Sequence, residues 1–392
     1  MRRIGFDAVR ALRNSTGLGN YGRRVLHGLL GNPARVRGVL YSPAAPRPAW
    51  AGLPEALGAP LRLPPPAWRL RGARSWWRTA RLGRTAAADR VELFHGLSHE
   101  IPRDLPRGLP SVVSFLDVLW ARYPGLYPAV DRRSYAWRYR ASAERATAIV
   151  AASRHTASEL TALYGIARER IIVLPPPADP RFGDPVSGAA RREILARLEL
   201  PERFLLSVGT LERRKNQRTA LAALALLDPA RTPPLLLVGR DGGTRGALVA
   251  QAERLGIGAR LLLRDAVADA DLPAVMQSAA VFLYPSLAEG FGLPIVEAQL
   301  AGVPVITTEG GCFSEAGGPD ALYVPATDAS ALAAAIRAAL DDADLAERLR
   351  VGGRRWAVRF DPAGLADRLV RVYEAVLVTG KPPAEELERC AG

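Results

Sequence analysis

Short β-branched and apolar runs recur along this chain, separated by stretches in which apolar positions return at helical spacing. Ile4–Val9, Val36–Tyr41, Leu93–His95, Ser111–Phe115, Ala148–Ala152 and Ile171–Leu174 read as strands, with helical patterns such as Asn20–Leu30 and Ser153–Tyr164 between them. Alternation of this kind argues for parallel, doubly wound sheets. "LPPPADPRFGDP", Leu174–Pro185, interrupts it with five prolines. They fit neither a helix interior nor a central ladder, so the stretch reads as a linker. Strand patterns resume at Phe204–Val208, Leu235–Val238, Arg260–Leu263, Val281–Tyr284 and Val303–Thr307. The closing "FDPAGLADRLVRVYEAVL" has an Asp-Pro helix start and an amphipathic period. The expectation is an α/β protein with doubly wound domains over residues 1–178 and 187–360, a linker at 179–186, and a helix at 361–380 packed back on the first domain.

The length, 392 residues, agrees with two domains of ordinary size, and 48% apolar residues suffice for two cores. No run of about 18 uncharged apolar residues occurs, so no membrane-spanning helix is expected. Asp7 and Arg10 interrupt the N-terminal apolar run, which therefore reads as a first strand and its loop rather than a signal peptide. The two cysteines, Cys312 and Cys390, form neither a metal-ligand spacing nor a disulfide framework, and a cytoplasmic location is the default.

Charge adds to this picture. The formal net charge is +14, carried almost entirely by arginine; Lys215 and Lys381 are the only lysines, which makes Lys215 notable. Such a balance suits phosphate-rich ligands or an anionic membrane. A specific nucleic-acid partner is not expected, because no zinc-finger spacing, RNP motif or basic-region helix accompanies the charge. The segment Arg62–Arg90 holds eight arginines against one aspartate, with Trp68, Trp76 and Trp77. Arginine beside tryptophan suits a helix lying at the inner face of a membrane. The plainer reading is a surface helix with its tryptophans packed on the sheet.

The chemistry concentrates in "PSLAEGFGLPIVEAQLAGVPVI", Pro285–Ile306. "LAEGFG" reads as a strand-to-helix loop at the carboxyl end of a parallel sheet, where open α/β sheets bind ligands. Gly290 and Gly292 allow close backbone approach. The amides of Phe291, Gly292 and Leu293 open a helix and suit phosphate oxygens. Glu297 lies one turn inside, leaning back toward the same crevice. Carboxylates do not bind phosphate but accept hydrogen bonds from vicinal hydroxyls. Glu289 and Glu297 around a phosphate site therefore suggest a diphosphate with sugar at both ends, a nucleotide sugar. The missing cations come from "LLSVGTLERRKNQ", where Gly209 turns the chain out of a strand ahead of Arg213, Arg214 and Lys215. Cations at a helix start oppose its dipole, which disfavours a purely structural role. "RNSTGLGNYG" supplies Gly17, Gly19 and Gly22 after strand one, a loop that many dinucleotide folds share.

Together these residues resemble the retaining family-4 glycosyltransferases, which have the GT-B fold of two Rossmann-like domains facing across a cleft. "EGFGLPIVE" matches the family's pair of glutamates with seven residues between them. Arg214 and Lys215 in "VGTLERRKN" match its Arg-Lys pair, and "STGLGNYG" and "VAASRHTASEL" resemble two of its N-terminal segments. The resemblance implies that Glu289 contacts hydroxyls of the transferred sugar and Glu297 the nucleotide ribose, while Arg214 and Lys215 hold the diphosphate. It implies retention of configuration through a front-face route, with no metal or other cofactor beyond the nucleotide sugar as co-substrate. "GTLERRKN" looks most like members that transfer mannose, rhamnose or related sugars. The Arg/Trp segment points to a lipid-linked or polysaccharide acceptor.

Two features depart from the family pattern. Many members carry His-Asp after the strand at Ser111–Phe115; here Leu116 replaces the histidine and Asp117 remains, leaving Asp117 and His95, or His99, as acceptor-side candidates. "PPPADP" also stands where Asn-Gly is common. The missing histidine motivates a non-catalytic relative as an alternative. A nicotinamide-dependent oxidoreductase rests on the glycine loop alone, and the acidic residue expected about 20 residues later is absent.

Overall fold

The computed structural model describes residues 2–384 apart from 33, 69–70, 128 and 266. The chain forms two compact units, Met1–Pro177 together with Asp361–Gly392, and Ala178–Phe360.

The first unit is built on β1 (Arg3–Asp7), β2 (Arg37–Tyr41), β3 (Leu61–Arg62), β4 (Leu93–Gly96), β5 (Ser111–Phe115), β6 (Ala148–Ala151) and β7 (Ile171–Val173). They form one seven-stranded sheet in the order β3-β2-β1-β4-β5-β6-β7, parallel throughout. Central strands such as β5 and β6 are buried at every position, as a parallel sheet covered by helices on both faces requires. The strand order reverses between β1 and β4, with Asp7 in register with Gly96. That junction is where loops splay apart and leave a crevice.

The second unit repeats the plan. It comprises β8 (Phe204–Val208), β9 (Leu235–Val238), β10 (Leu261–Arg264), β11 (Ala279–Tyr284), β12 (Val305–Thr308) and β13 (Leu322–Val324). These lie in the order β10-β9-β8-β11-β12-β13, again parallel. Here the order reverses between β8 and β11, with Leu206 opposite Phe282.

The structure adds two strands that the apolar pattern does not reveal, β3 and β13, of two and three residues. Each is a short edge strand that is only partly buried, unlike the comparably short β7, which is buried throughout. The expected linker 179–186 belongs to the second unit. Asp179 caps a short 3-10 turn, Pro180–Phe182, and Phe182 is buried. Gln277 Nε2 donates to the carbonyls of Phe182 (3.3 Å) and Asp184 (2.7 Å), while its Oε1 accepts from Val186 N at 3.0 Å. Prolines leave carbonyls without neighbouring amides to pair them, and one glutamine side chain supplies the partners.

The helix Pro362–Thr379 packs on the helix Gly17–Leu30. A Cβ at Gly28 would stand 2.9 Å from the Pro362 carbonyl, so glycine permits the close crossing. Leu365, Leu369, Val372, Tyr373 and Val376 are buried in the first core, and Arg35 pairs with Asp367 at 2.7 Å. Leu369→Ala is expected to lower stability by about 2–5 kcal/mol in denaturant titration, the usual range for a buried leucine. A loss under about 1 kcal/mol would show that the tail is not integral to that core.

Candidate functional site

In the second unit the two loops at the reversal of strand order carry the chemistry. Leaving β8, Gly209 adopts φ +150°, and a Cβ there would press on Lys215 Cε at 3.2 Å. Arg213–Lys215 form a 3-10 turn, ended by Asn216 in the left-handed region at φ 54°. Asn216 Nδ2 donates to Pro285 O (3.0 Å) and Ala326 O (2.6 Å), and Leu287 N donates to Arg214 O at 2.8 Å. The cation-bearing loop is therefore stitched to the loop after β11.

These bonds bring three predicted residues together. Lys215 Nζ lies 2.7 Å from Glu289 Oε1, and Arg214 Nη1 lies 2.5 Å from Oε2. Lys215 Nζ also donates to the Tyr284 hydroxyl at 2.7 Å and sits over its ring. Arg214 donates further to Ala288 O (2.9 Å) and Glu212 Oε1 (2.6 Å). Glu289 is 9% exposed. Burial alone would raise its pKa, but Lys215 and Arg214 outweigh burial and hold it at about 2. Burial, reinforced by Arg214, pushes Lys215 below the usual lysine range, against the pull of Glu289. Tyr284 is pushed well up by burial and by Glu289. An ionised carboxylate with one cation on each oxygen can still accept hydroxyl hydrogen bonds on its remaining lone pairs.

The other predicted donor residues follow along the chain. The Phe291 side chain is buried edge-on against Phe360, 5.3 Å between ring centres. Gly292, at φ 106°, precedes the helix Leu293–Leu300; Pro294 carries no amide hydrogen and Ile295 N donates to Gly292 O at 2.9 Å, so the Gly292 and Leu293 amides are the donors this helix start can offer. Glu297 is buried on that helix, and Arg181, in the turn after Asp179, feels its charge. Tyr284 and Asn216 were not singled out in the sequence. An asparagine immediately before a helix start was the available signal for Asn216; for Tyr284 there was none beyond its place at the end of a strand.

In the first unit, Gly17 opens the helix Gly17–Leu30 and has open space where a Cβ would stand. Gly19 is different: a Cβ there would lie 1.8 Å from Asn14 O, so packing alone demands glycine. His95 is removed from the acceptor-side reading. It is fully buried, its Nδ1 2.6 Å from the Tyr373 hydroxyl and its Nε2 2.8 Å from Ser114 Oγ, which in turn bonds Tyr21. Burial lowers its pKa to about 3. It is a core histidine that ties β4 and β5 to the C-terminal helix.

His99 is the histidine that reaches the end of β5. Its Nε2 accepts from the amides of Leu116 (3.2 Å) and Asp117 (3.4 Å), which leaves the neutral ring protonated on Nδ1. Burial pushes its pKa down. Its backbone lies at φ 65°, a strained region for a non-glycine residue. Asp117 Oδ1 accepts from Leu119 N at 3.2 Å. Close by, Arg78 bridges Asp7 (2.7 Å) and Glu100 (3.3 Å), and Arg138 also pairs with Glu100.

Arg78 belongs to the Arg/Trp segment, of which Arg69 and Leu70 lie outside the described residues. Trp77 packs into the core, whereas Trp76 is 53% exposed and stacks on Trp68 at 5.3 Å. Among the described residues, no helix is long and apolar enough to cross a membrane. No group of three or more His, Cys, Asp or Glu among them could hold a metal ion.

Comparison with known proteins agrees with this architecture. Residues 191–356 match the family described as glycosyl transferases group 1, and residues 16–182 match glycosyltransferase family 4. The O-antigen chain mannosyltransferase B of Escherichia coli is 29% identical over 72% of this chain and 74% of its own. A D-inositol 3-phosphate glycosyltransferase of Catenulispora acidiphila is 32% identical over 59% of this chain, an alignment that spans 58% of that relative's length. The crystal structure of Anabaena HepE in complex with UDP and glucose superposes with a TM-score of 0.74 at 19% identity, covering 96% of this chain and 100% of that one.

Proposed function

Because this chain belongs to the family-4 glycosyltransferases of GT-B fold, we propose that it moves a sugar from a nucleoside diphosphate to a lipid-linked, glycan or polysaccharide acceptor, with retention of configuration and without a metal. The observation that carries this reading is the convergence of Arg214 and Lys215 on Glu289 at the strand-order reversal of the second unit. Two cations there neutralise a diphosphate most strongly as it departs, which is the role a metal plays in other transferases. The amides opening the helix Leu293–Leu300 add donors for the same phosphates. Glu289, ionised at any physiological pH, accepts hydroxyls of the transferred sugar, and Glu297 those of the ribose. The departing phosphate takes the acceptor's proton, so no side-chain nucleophile is needed. Asp117, its amide held by His99, stands on the acceptor side. The Escherichia coli relative is a mannosyltransferase and HepE was crystallised with UDP and glucose, which supports a hexose donor.

Calorimetric titration with UDP, GDP and dTDP tests the reading. Binding of one of them fixes the base, and binding of none overturns the phosphate site. The non-catalytic alternative, motivated by Leu116, shares the binding but shows no turnover of the matching nucleotide sugar in the presence of acceptor.

Contact with an anionic membrane is proposed through Trp76 rather than Trp77, because only the former is turned outward. The native protein is expected to sediment with anionic-lipid vesicles, and Trp76→Ser to lose most of that binding. A native protein that stays in the supernatant ends the membrane reading.

A further inference from the structure

Glu212 has no part in the chemistry above, yet its carboxylate lies 2.6 Å from Arg214 Nη2. We propose that Glu212 is a displaceable counter-anion: it occupies the guanidinium edge of Arg214 in the empty site and is exchanged there for a phosphate oxygen of the nucleoside diphosphate. The inference rests on the reading that Arg214 and Lys215 bind that diphosphate.

Two carboxylates touch Arg214, and only one of them can leave. Glu289 is buried and held by Lys215 as well. The Glu212 side chain is 35% exposed, and Arg214 is its partner among the described residues. Its backbone is extended at the start of the 3-10 turn, and its side chain caps no amide there. Turning it into water therefore breaks one ion pair, whereas release of Glu289 would break two.

The donor geometry of Arg214 points the same way. Nη1 is spent on Glu289 and Ala288 O. The edge left for an incoming anion is the Nη2 side, the side that Glu212 occupies. Phosphate is bound best by parallel N–H groups along one guanidinium edge, so Glu212 and a phosphate oxygen compete for the same hydrogens.

Charge sets the direction of the exchange. Arg214 and Lys215 against Glu212 and Glu289 sum to zero, and departure of Glu212 leaves the cluster at +1. A diphosphate gains from that change, while a neutral ligand does not. Once the sugar has been transferred, the return of Glu212 favours loss of the nucleoside diphosphate product.

The experiment is calorimetric titration of the whole chain with UDP, GDP and dTDP, comparing wild type with Glu212→Gln and Glu212→Ala, alongside stopped-flow dissociation. The nucleoside diphosphate that binds wild type is expected to bind 3–10-fold more tightly to both variants and to leave more slowly. Unchanged affinity overturns the exchange. Weaker binding also overturns it, and would mean that Glu212 holds Arg214 in position. Absence of any binding to wild type would instead overturn the phosphate-site reading itself, and the exchange with it.

Discussion

Lys215→Ala is expected to weaken nucleoside-diphosphate binding by about 100-fold and to abolish turnover. In the buried cluster the ammonium uses one N–H on Glu289 and one on the Tyr284 hydroxyl, leaving a third for a phosphate oxygen. A charge-assisted hydrogen bond of this kind contributes about 1.5–3 kcal/mol. The charge balance changes too: with Glu212 and Glu289 unaltered, the cluster passes from neutral to −1 and repels the dianion it should bind. Loss of one donor to a developing negative charge typically costs about 10²–10³ in turnover. Glu289 keeps Arg214 as a partner, so the variant should fold, and thermal unfolding checks that it does. Binding within threefold of wild type in a folded variant would remove Lys215 from the phosphate site.

The second large effect is expected at Glu289. Glu289→Ala leaves Arg214 and Lys215 side by side without their shared counter-ion, a loss of about 3–5 kcal/mol in stability. The pH dependence gives its signature. The Glu289 carboxyl is held at about 2 against 4.5 unperturbed. Its contribution is thus complete above pH 4.5 and disappears as pH falls from there toward 2. At 1.36 kcal/mol per pH unit, that contribution is about 3 kcal/mol. The stability gap between wild type and variant should therefore narrow over that window and stay constant above it. Function should divide differently. Transfer is lost with the sugar-hydroxyl contacts, while a nucleoside diphosphate still binds near neutral pH because it replaces the missing anion. The burial of Lys215, no longer opposed by Glu289, should bring the alkaline loss of binding to lower pH than in wild type. A variant that keeps transfer, or a gap that does not narrow in acid, would show that the Glu289 charge is not used in this way.

The strand runs of both sheets were legible because a parallel strand covered on both faces must be apolar almost throughout, as in "FLLSV" and "LLLV". β3 and β13 were not: they are no longer than β7, but where β7 is apolar and buried throughout, they are only partly buried. The loop after β11 was legible as a candidate site because glycines, a helix start and carboxylates at fixed spacing have few other uses. His95 misled, because nothing local separates a core histidine from one aimed at a ligand. Its partners, Tyr373, Ser114 and through it Tyr21, come from three distant stretches. The prolines of 179–186 marked a break in the pattern but not its owner. The hydrogen bonds of Gln277, more than 90 residues away, assign the segment to the second unit.

The sequence by itself thus determined the doubly wound class, most of the strands, and the residue types gathered at the two loops after β8 and β11. Those depend on local propensity and on spacings within one element. Only the tertiary structure decided that Lys215 is steadied by Tyr284, that Asn216 fastens one loop to the other, that Arg214 divides its hydrogens between Glu289 and Glu212, and that Arg78 turns inward to Asp7 and Glu100. Hydrogen bonds and ion pairs of this kind join side chains whose separation is set by strand order, and strand order is a property of the whole sheet rather than of any stretch of chain.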